Sequence, residues 1–222
     1  MFKKETYINR RQQLAKDVEK GIILFIGNSE SPMNYPDNTY RYRQDSTFNY
    51  FFGLIHPDLA AIIDVESGEE CIYGDDYTID HIVWMGDQPS IAERAQTCGV
   101  QKTATTAQLV KDLKEAQAKG RPIHFLPLYR GESKIKLFEY LGVKPSEISE
   151  KHSLELVKAV IKQRNYKTAE EVAEIEKACN ITVDMHLAGM RITRPGMLEA
   201  EVAAEVEKIA LAQDGCVSFP VI

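Results

Sequence analysis

Asp75, Asp76, Asp80 and His81 bring three carboxylates and an imidazole close together in sequence, and these are the usual ligands of hard and borderline cations. Adjacent Asp80 and His81 would point to opposite faces of a strand, however, and the segment lacks the glycine-bearing calcium-loop pattern. A structural or solvated role is therefore expected for this cluster. His186 falls on a helical segment with no second His or Glu at the zincin spacing, which also reads as structural. No serine sits in a Gly-x-Ser-x-Gly frame, so no nucleophile elbow is present. Gly27 and Gly53 are isolated and no lysine follows a glycine-rich turn, so there is no phosphate loop of that kind. Cys71, Cys98, Cys179 and Cys216 are widely spaced; they form no zinc knuckle or redox pair and are expected to be buried thiols. The sequence thus offers single chemical groups but no complete catalytic or metal-binding set.

Composition narrows the class. With 222 residues, the chain is long enough to bury a sizeable core, as one large domain or as one domain plus part of another. Hydrophobic residues at 44% and charged residues at 27% fit a globular protein, and no apolar run approaches the roughly 18 residues of a membrane span. A net charge of -6 argues against general nucleic-acid binding, which requires a Lys/Arg surplus. Met1 to Arg10 is polar and lacks an apolar signal core, so the expected location is the cytoplasm.

The elements that must position any site alternate helix and strand. Tyr7 to Lys20 reads as a polar-faced helix with Tyr7, Leu14 and Val18 as its apolar stripe, and Ile22 to Ile26 as a buried strand. Gly27 to Asp45 reads as a long irregular connection, and Phe48 to Leu54 as extended. Leu59 to Val65 and Glu70 to Tyr73 form a hairpin. Helices follow over Ile91 to Cys98, Ala107 to Lys119, Ser133 to Leu141 and Leu154 to Gln163, with a strand at Pro122 to Leu126. The order implies an α/β fold, a mixed β-sheet flanked by helices.

A boundary is expected near Tyr166, giving residues 1–166 and 167–222. Thr168-Ala169-Glu170-Glu171 offers a capping box that starts a new helix. Its face of Val172, Ile175, Cys179, Thr182 and Met185 leads to Arg194-Pro195-Gly196, and Leu198, Val202, Val206 and Ile209 mark a second helix. These two helices have no sheet of their own, so their apolar stripes are expected to drive oligomerisation. Gly215 to Ile222 reads as the beginning of a buried strand, so the polypeptide is expected to be the front part of a larger protein.

Four segments in fixed order carry a resemblance. Tyr42-Arg43-Gln44-Asp45-Ser46-Thr47-Phe48-Asn49-Tyr50-Phe51-Phe52-Gly53 is similar to a signature of the amino-terminal domain of the aminopeptidase P and prolidase family. Ile82-Val83-Trp84-Met85-Gly86 resembles that family's apolar-Trp-x-Gly element. Lys162 to Ala173 resembles its interdomain passage, and Arg194-Pro195-Gly196-Met197 its Arg-Pro-Gly turn.

The resemblance implies an amino-terminal α/β domain followed by a pita-bread catalytic domain holding two divalent metals, usually manganese, on two Asp, one His and two Glu. Such an enzyme releases the residue that precedes proline. In the family all five ligands follow the Phe-Pro strand that Phe219-Pro220 resembles, so no catalytic residue and no metal ligand is assigned here, and this chain alone is expected to be inactive. The resemblance also implies proline-containing peptides as substrates of the full-length enzyme, a homo-oligomer, and a substrate-gating role for Trp84 near an active-site entrance, often a neighbouring subunit's. Read from its residue type alone, Trp84 is instead a core or sheet-edge anchor. Two other functional readings stay open: an Xaa-Pro dipeptidase, and a non-catalytic peptidase-like module that binds proteins.

Overall fold

The computed structural model describes residues 1–221. The chain separates into two compact units, Met1–Asn165 and the remainder from Tyr166. In order, the first contains α1 (Lys4–Val18), β1 (Ile22–Ile26), β2 (Pro32–Tyr35), β3 (Asn38–Thr39), α2 (Ser46–Phe52), β4 (Ala60–Asp64), β5 (Glu70–Tyr73), α3 (Ile79–Met85), α4 (Ile91–Thr97), β6 (Lys102–Ala104), α5 (Thr106–Ala118), β7 (Ile123–His124), α6 (Gly131–Leu141), α7 (Ile148–Lys151) and α8 (Leu154–Asn165). The second contains α9 (Ala169–Ile192) and α10 (Glu199–Ala212).

Five strands form one mixed sheet in the order β6-β5-β4-β1-β7. β1 is apolar at every position because both faces of the sheet are covered. Ile23 and Phe25 join Ala61, Ile63 and Ile72 under α1, α2, α4 and α8. Ile22, Leu24 and Ile26 join Ala60, Ile62 and Tyr73 under α5, α6 and α7. The result is the α/β architecture expected, a mixed sheet between helices.

Several local readings change. The segment expected to be extended over Phe48 to Leu54 is instead α2. Asp45 caps it, its Oδ1 accepting the N–H groups of Thr47 and Phe48 at 2.9 Å, and Gly53 ends it at φ 64°. Phe48, Phe51 and Phe52 are all buried, and their i, i+3, i+4 spacing is the helical period. The connection from Gly27 to Asp45 is not wholly irregular, since β2 and β3 pair within it as a small exposed hairpin. β6 extends the sheet parallel to β5 and was not foreseen. Cys71 and Cys98 are buried, but Cys179 and Cys216 are exposed, correcting the expectation of four buried thiols.

The polar face of α1 is also partly interior. Arg11 is fully buried, donating to the Phe51 carbonyl at 2.9 Å and the Cys98 carbonyl at 3.0 Å and pairing with Glu70 at 2.8 Å. A buried guanidinium persists only with such partners.

The signature loop is held by the buried amide of Gln44. Its Oε1 accepts the N–H groups of Asn28 and Asp45, each at 2.9 Å; its Nε2 donates to the carbonyls of His56 at 2.9 Å and Leu54 at 3.2 Å. Tyr42 donates its hydroxyl toward the carbonyls of Asn28 and His56, and burial pushes its phenol well above the usual range.

In the second unit, Thr168 and Glu171 form the expected capping box at the start of α9. α9 and α10 line a groove of about 780 Å³ together with residues 215–221. The strand expected from Gly215 is not formed over the described residues: Gly215 to Val221 pairs with no strand and is mostly exposed, while Ile222 lies outside them. An isolated extended segment has no ladder to satisfy its backbone, which explains the difference. Val172, Ile175, Leu198 and Leu211 are exposed within this unit.

Two expected outcomes follow from these contacts. Gln44→Ala removes one side chain from four backbone groups, and chemical unfolding should show a loss of about 2–4 kcal/mol. Arg121 grips Asp64 through two bonds of 2.6 and 2.7 Å, holding that carboxyl down at about 2 against its usual 3.8. A depressed carboxyl stabilises the fold above its unfolded pKa, and that stabilisation disappears as pH falls through 3.8 toward 2. Acid unfolding followed by circular dichroism should lose this component in Arg121→Ala.

Candidate functional site

The strongest candidate is the excursion between β5 and α4 that contains Trp84. Its two ends are fastened by the carboxylates that resembled metal ligands. Asp75 Oδ1 accepts the Thr106 N–H at 3.4 Å, and Asp76 Oδ1 accepts the Ile91 N–H at 2.7 Å. Asp76 thereby anchors the first residue of α4, whose own cap is a Ser90–Glu93 box.

Between these anchors the chain forms α3 rather than continuing as a strand. Thr78 is the N-cap, with its hydroxyl 2.8 Å from His81 Nδ1, and Gly86 ends the helix at φ 74°. Tyr77 stacks on His81 with ring centroids 5.2 Å apart and contacts His56 at 5.4 Å. This row of three rings ties the base of α3 to the loop before β4. Burial pushes the His56 imidazole below its usual range. Beneath α3 lies a small cavity of about 130 Å³ lined by His56, Tyr77 and Ile82 among others.

No residue of α3 is buried. Trp84 is 87% exposed, with Ile79, Val83 and Met85 exposed beside it. This corrects the reading of Trp84 as a core or sheet-edge anchor. Each large apolar side chain left in water forgoes roughly 1.5–3 kcal/mol, and a contiguous patch of this kind marks an interaction surface. An isolated seven-residue helix would not persist in water; caps, anchored ends and the ring row hold this one. The neighbouring side chains could have been found from Thr78 and Gly86, which bracket Ile79 to Met85 as start and stop signals.

Among the described residues, no three His, Cys, Asp or Glu side chains are arranged to hold a metal ion. Asp75 and Asp76 accept backbone N–H groups and His81 is stacked, so this cluster does not form a centre. His186 lines the groove of the second unit beside Met185 and Met190, with no carboxylate among the groove's described lining residues. Neither place brings together, among the described residues, the ligand set of a two-metal centre.

Residues 7–124, more than half of the chain, match the family model of the aminopeptidase P N-terminal domain, and the chain belongs to that family. It is similar to the Xaa-Pro aminopeptidase of Escherichia coli strain K12, 21% identical over 216 residues, covering 91% of this chain and 48% of the relative. It is also similar to the Xaa-Pro dipeptidase of Homo sapiens, 23% identical over 217 residues, covering 92% and 42%. The chain thus spans less than half the length of each of these relatives. Among solved structures, the low-pH form of aminopeptidase P from E. coli shares the fold, with a TM-score of 0.76 at 20% identity over 96% of this chain and 50% of that one. Among the described residues, no helix is long and apolar enough to cross a membrane.

Trp84 is the chain's single tryptophan, so its exposure can be read directly. Acrylamide should quench its fluorescence about as efficiently as that of free N-acetyltryptophanamide. Strong protection from quenching would mean that α3 is covered.

Proposed function

We propose that this chain is the amino-terminal portion of a metal-dependent Xaa-Pro aminopeptidase, and that α3 presents Trp84 as a gating surface for proline-containing peptides. The observation that carries this reading is an exposed indole at 87%, on a helix whose ends are fastened and whose apolar side chains are left exposed. A flat aromatic suits the pyrrolidine ring of proline, and the tertiary amide of that residue offers no N–H for recognition through hydrogen bonds. In this reading α3 reaches the active-site entrance of a neighbouring subunit in a homo-oligomer that works in the cytoplasm. Two divalent metal ions, manganese by family likeness, are then held by residues that this chain does not contain. The contribution of this chain is to orient and select the peptide.

A second reading, an Xaa-Pro dipeptidase, is favoured by the human relative, whose identity to this chain is 23%. The two readings differ in whether peptides longer than two residues are cleaved. A comparison of Xaa-Pro with Xaa-Pro-Xaa substrates on the complete enzyme separates them.

In the complete enzyme, Trp84→Ala should lower kcat/KM on proline peptides by about tenfold, equivalent to roughly 1.4 kcal/mol of transition-state binding. Its thermal midpoint should not change, because the side chain is exposed. Unchanged activity, or a loss that only parallels unfolding, would rule out gating. The 222-residue chain alone is expected to turn over no Xaa-Pro peptide and to retain no near-equimolar manganese after dialysis. Reproducible turnover by that chain would show that the catalytic assignment is wrong.

A further inference from the structure

Very little apolar burial fastens α3 to the domain. None of its residues is buried, and Ile82, which lines the cavity beneath it, is still 39% exposed. That cavity measures about 130 Å³, so the helix bridges a gap where close packing would otherwise hold it. Asp75 and Asp76 fasten the ends of the excursion through backbone N–H groups. The helix itself is held down by the row of rings: His81 on α3, Tyr77 before it, and His56 in the loop before β4.

His56 is the interior end of that row, only 7% exposed. Its Nδ1 lies 2.8 Å from the Pro57 carbonyl. A carbonyl only accepts, so Nδ1 carries the hydrogen and Nε2 holds the lone pair of the neutral ring. A further proton goes to Nε2 and places a full charge in a site that Tyr77 covers, which is costly. Burial is the largest influence on this imidazole and holds it below the usual 6.5; Arg94 works in the same direction, while the Pro57 carbonyl, Asp58 and Glu30 oppose it. Asp75 and Asp76 line the same cavity, and each already accepts a backbone N–H. On the other side of Tyr77, His81 Nδ1 is engaged with Thr78, 2.8 Å from its hydroxyl.

Lifting α3 takes Tyr77 off His56 and lets water into the cavity, where an imidazolium is solvated. We propose that His56 is a proton-operated latch for α3: Tyr77 and the helix seat on the neutral ring, and protonation of the ring frees the helix, with Trp84, from the domain. Burial sets the direction. The open form has the ordinary proton affinity, near 6.5, and the closed form a lower one, so the closed form is fully favoured above 6.5 and loses ground as pH falls from there toward the lower value. Opening takes up one proton, so the closed-to-open ratio falls by up to about tenfold per pH unit in that window. The latch sets where Trp84 stands, and it operates whether or not Trp84 gates peptides.

Trp84 is the only tryptophan of the chain, so its time-resolved fluorescence anisotropy reports the motion of α3 in the full 222-residue protein without any substrate. From about pH 8 to about pH 5.5 the amplitude of its nanosecond segmental component should rise reversibly, with far-UV circular dichroism unchanged. The His56 ring, followed by NMR, should titrate with the same midpoint. His56→Phe keeps a ring beneath Tyr77 that takes no proton and should abolish the response. His81→Gln keeps an acceptor at the third helical position for the Thr78 N–H and should leave the response in place. An anisotropy that stays flat across this range would overturn the proposal, as would a change that appears only where circular dichroism is lost. Should His56→Phe fail to fold, the unsubstituted chain decides, because separate midpoints for the His56 ring and for Trp84 would overturn the latch. A response that persists in folded His56→Phe and vanishes in His81→Gln would overturn the assignment to His56.

Discussion

Four backbone groups from three separate stretches of chain converge on the amide of Gln44. Without it, the end of β1, the start of α2 and the loop before β4 would each carry buried polar groups with nothing to meet them, and none of the three could pack against the sheet. The side-chain amide suits this place because it both donates and accepts; a carboxylate of the same shape could only accept. Asp45, the next residue, then caps α2, and the helix carries Phe48, Phe51 and Phe52 under β1. The hydrogen-bond hub and the aromatic core are therefore one device: the first sets where the helix begins, and the second is buried as a consequence. Arg11 completes it from the other side, bonding the Phe51 carbonyl near the far end of the same helix.

A second constraint explains why α3 stands exposed. The excursion between β5 and α4 bonds to the body of the domain through backbone N–H groups accepted by Asp75 and Asp76 and through the His56–Tyr77–His81 rings. These contacts fix the base of the helix and leave its apolar side chains outward. Ordinary packing economy would turn Trp84 and Val83 inward. That they face solvent on an anchored helix argues for a surface shaped by something outside this unit.

Much of this was legible in the sequence, and the failures have physical causes. β1 was evident because a strand covered on both faces is apolar throughout, β4 and β5 because a β-branched run and its partner flank the turn residues Glu66 to Glu69, and Thr168 with Glu171 announced α9 through chemistry confined to one turn. α2 was misread as extended because its aromatic density outweighed the capping and stop signals of Asp45 and Gly53. Arg11 was unreadable as an interior residue, since its partners Phe51, Cys98 and Glu70 are remote in sequence and only the fold brings them together. The order of the four family segments indicated the family, whereas the exposure of Trp84 depended on α3 being a helix, which residue type alone did not decide.

The strand directions tie these features together. β1 runs antiparallel to β4 and β4 antiparallel to β5, so β1 and β5 point the same way; β6 and β7 are parallel to β5 and β1 respectively. Only β4 opposes them. The carboxyl ends of β1, β5, β6 and β7 therefore lie along one edge, and from that edge depart the Gln44 loop, the Trp84 excursion and the loop that leads into α6. The opposite edge carries different chemistry: Arg121 pairs with Asp64 and Glu66, and Lys102 with Glu69, where strands enter or β4 leaves. Arg121, just before β7, reaches past β1 to the end of β4, and Lys102 joins the start of β6 to the residue before β5. With ion pairs gathered at one edge, the long loops and the exposed apolar groups of α3 are concentrated at the other, and any partner of this unit that reads the sheet's loops must approach from the carboxyl edge.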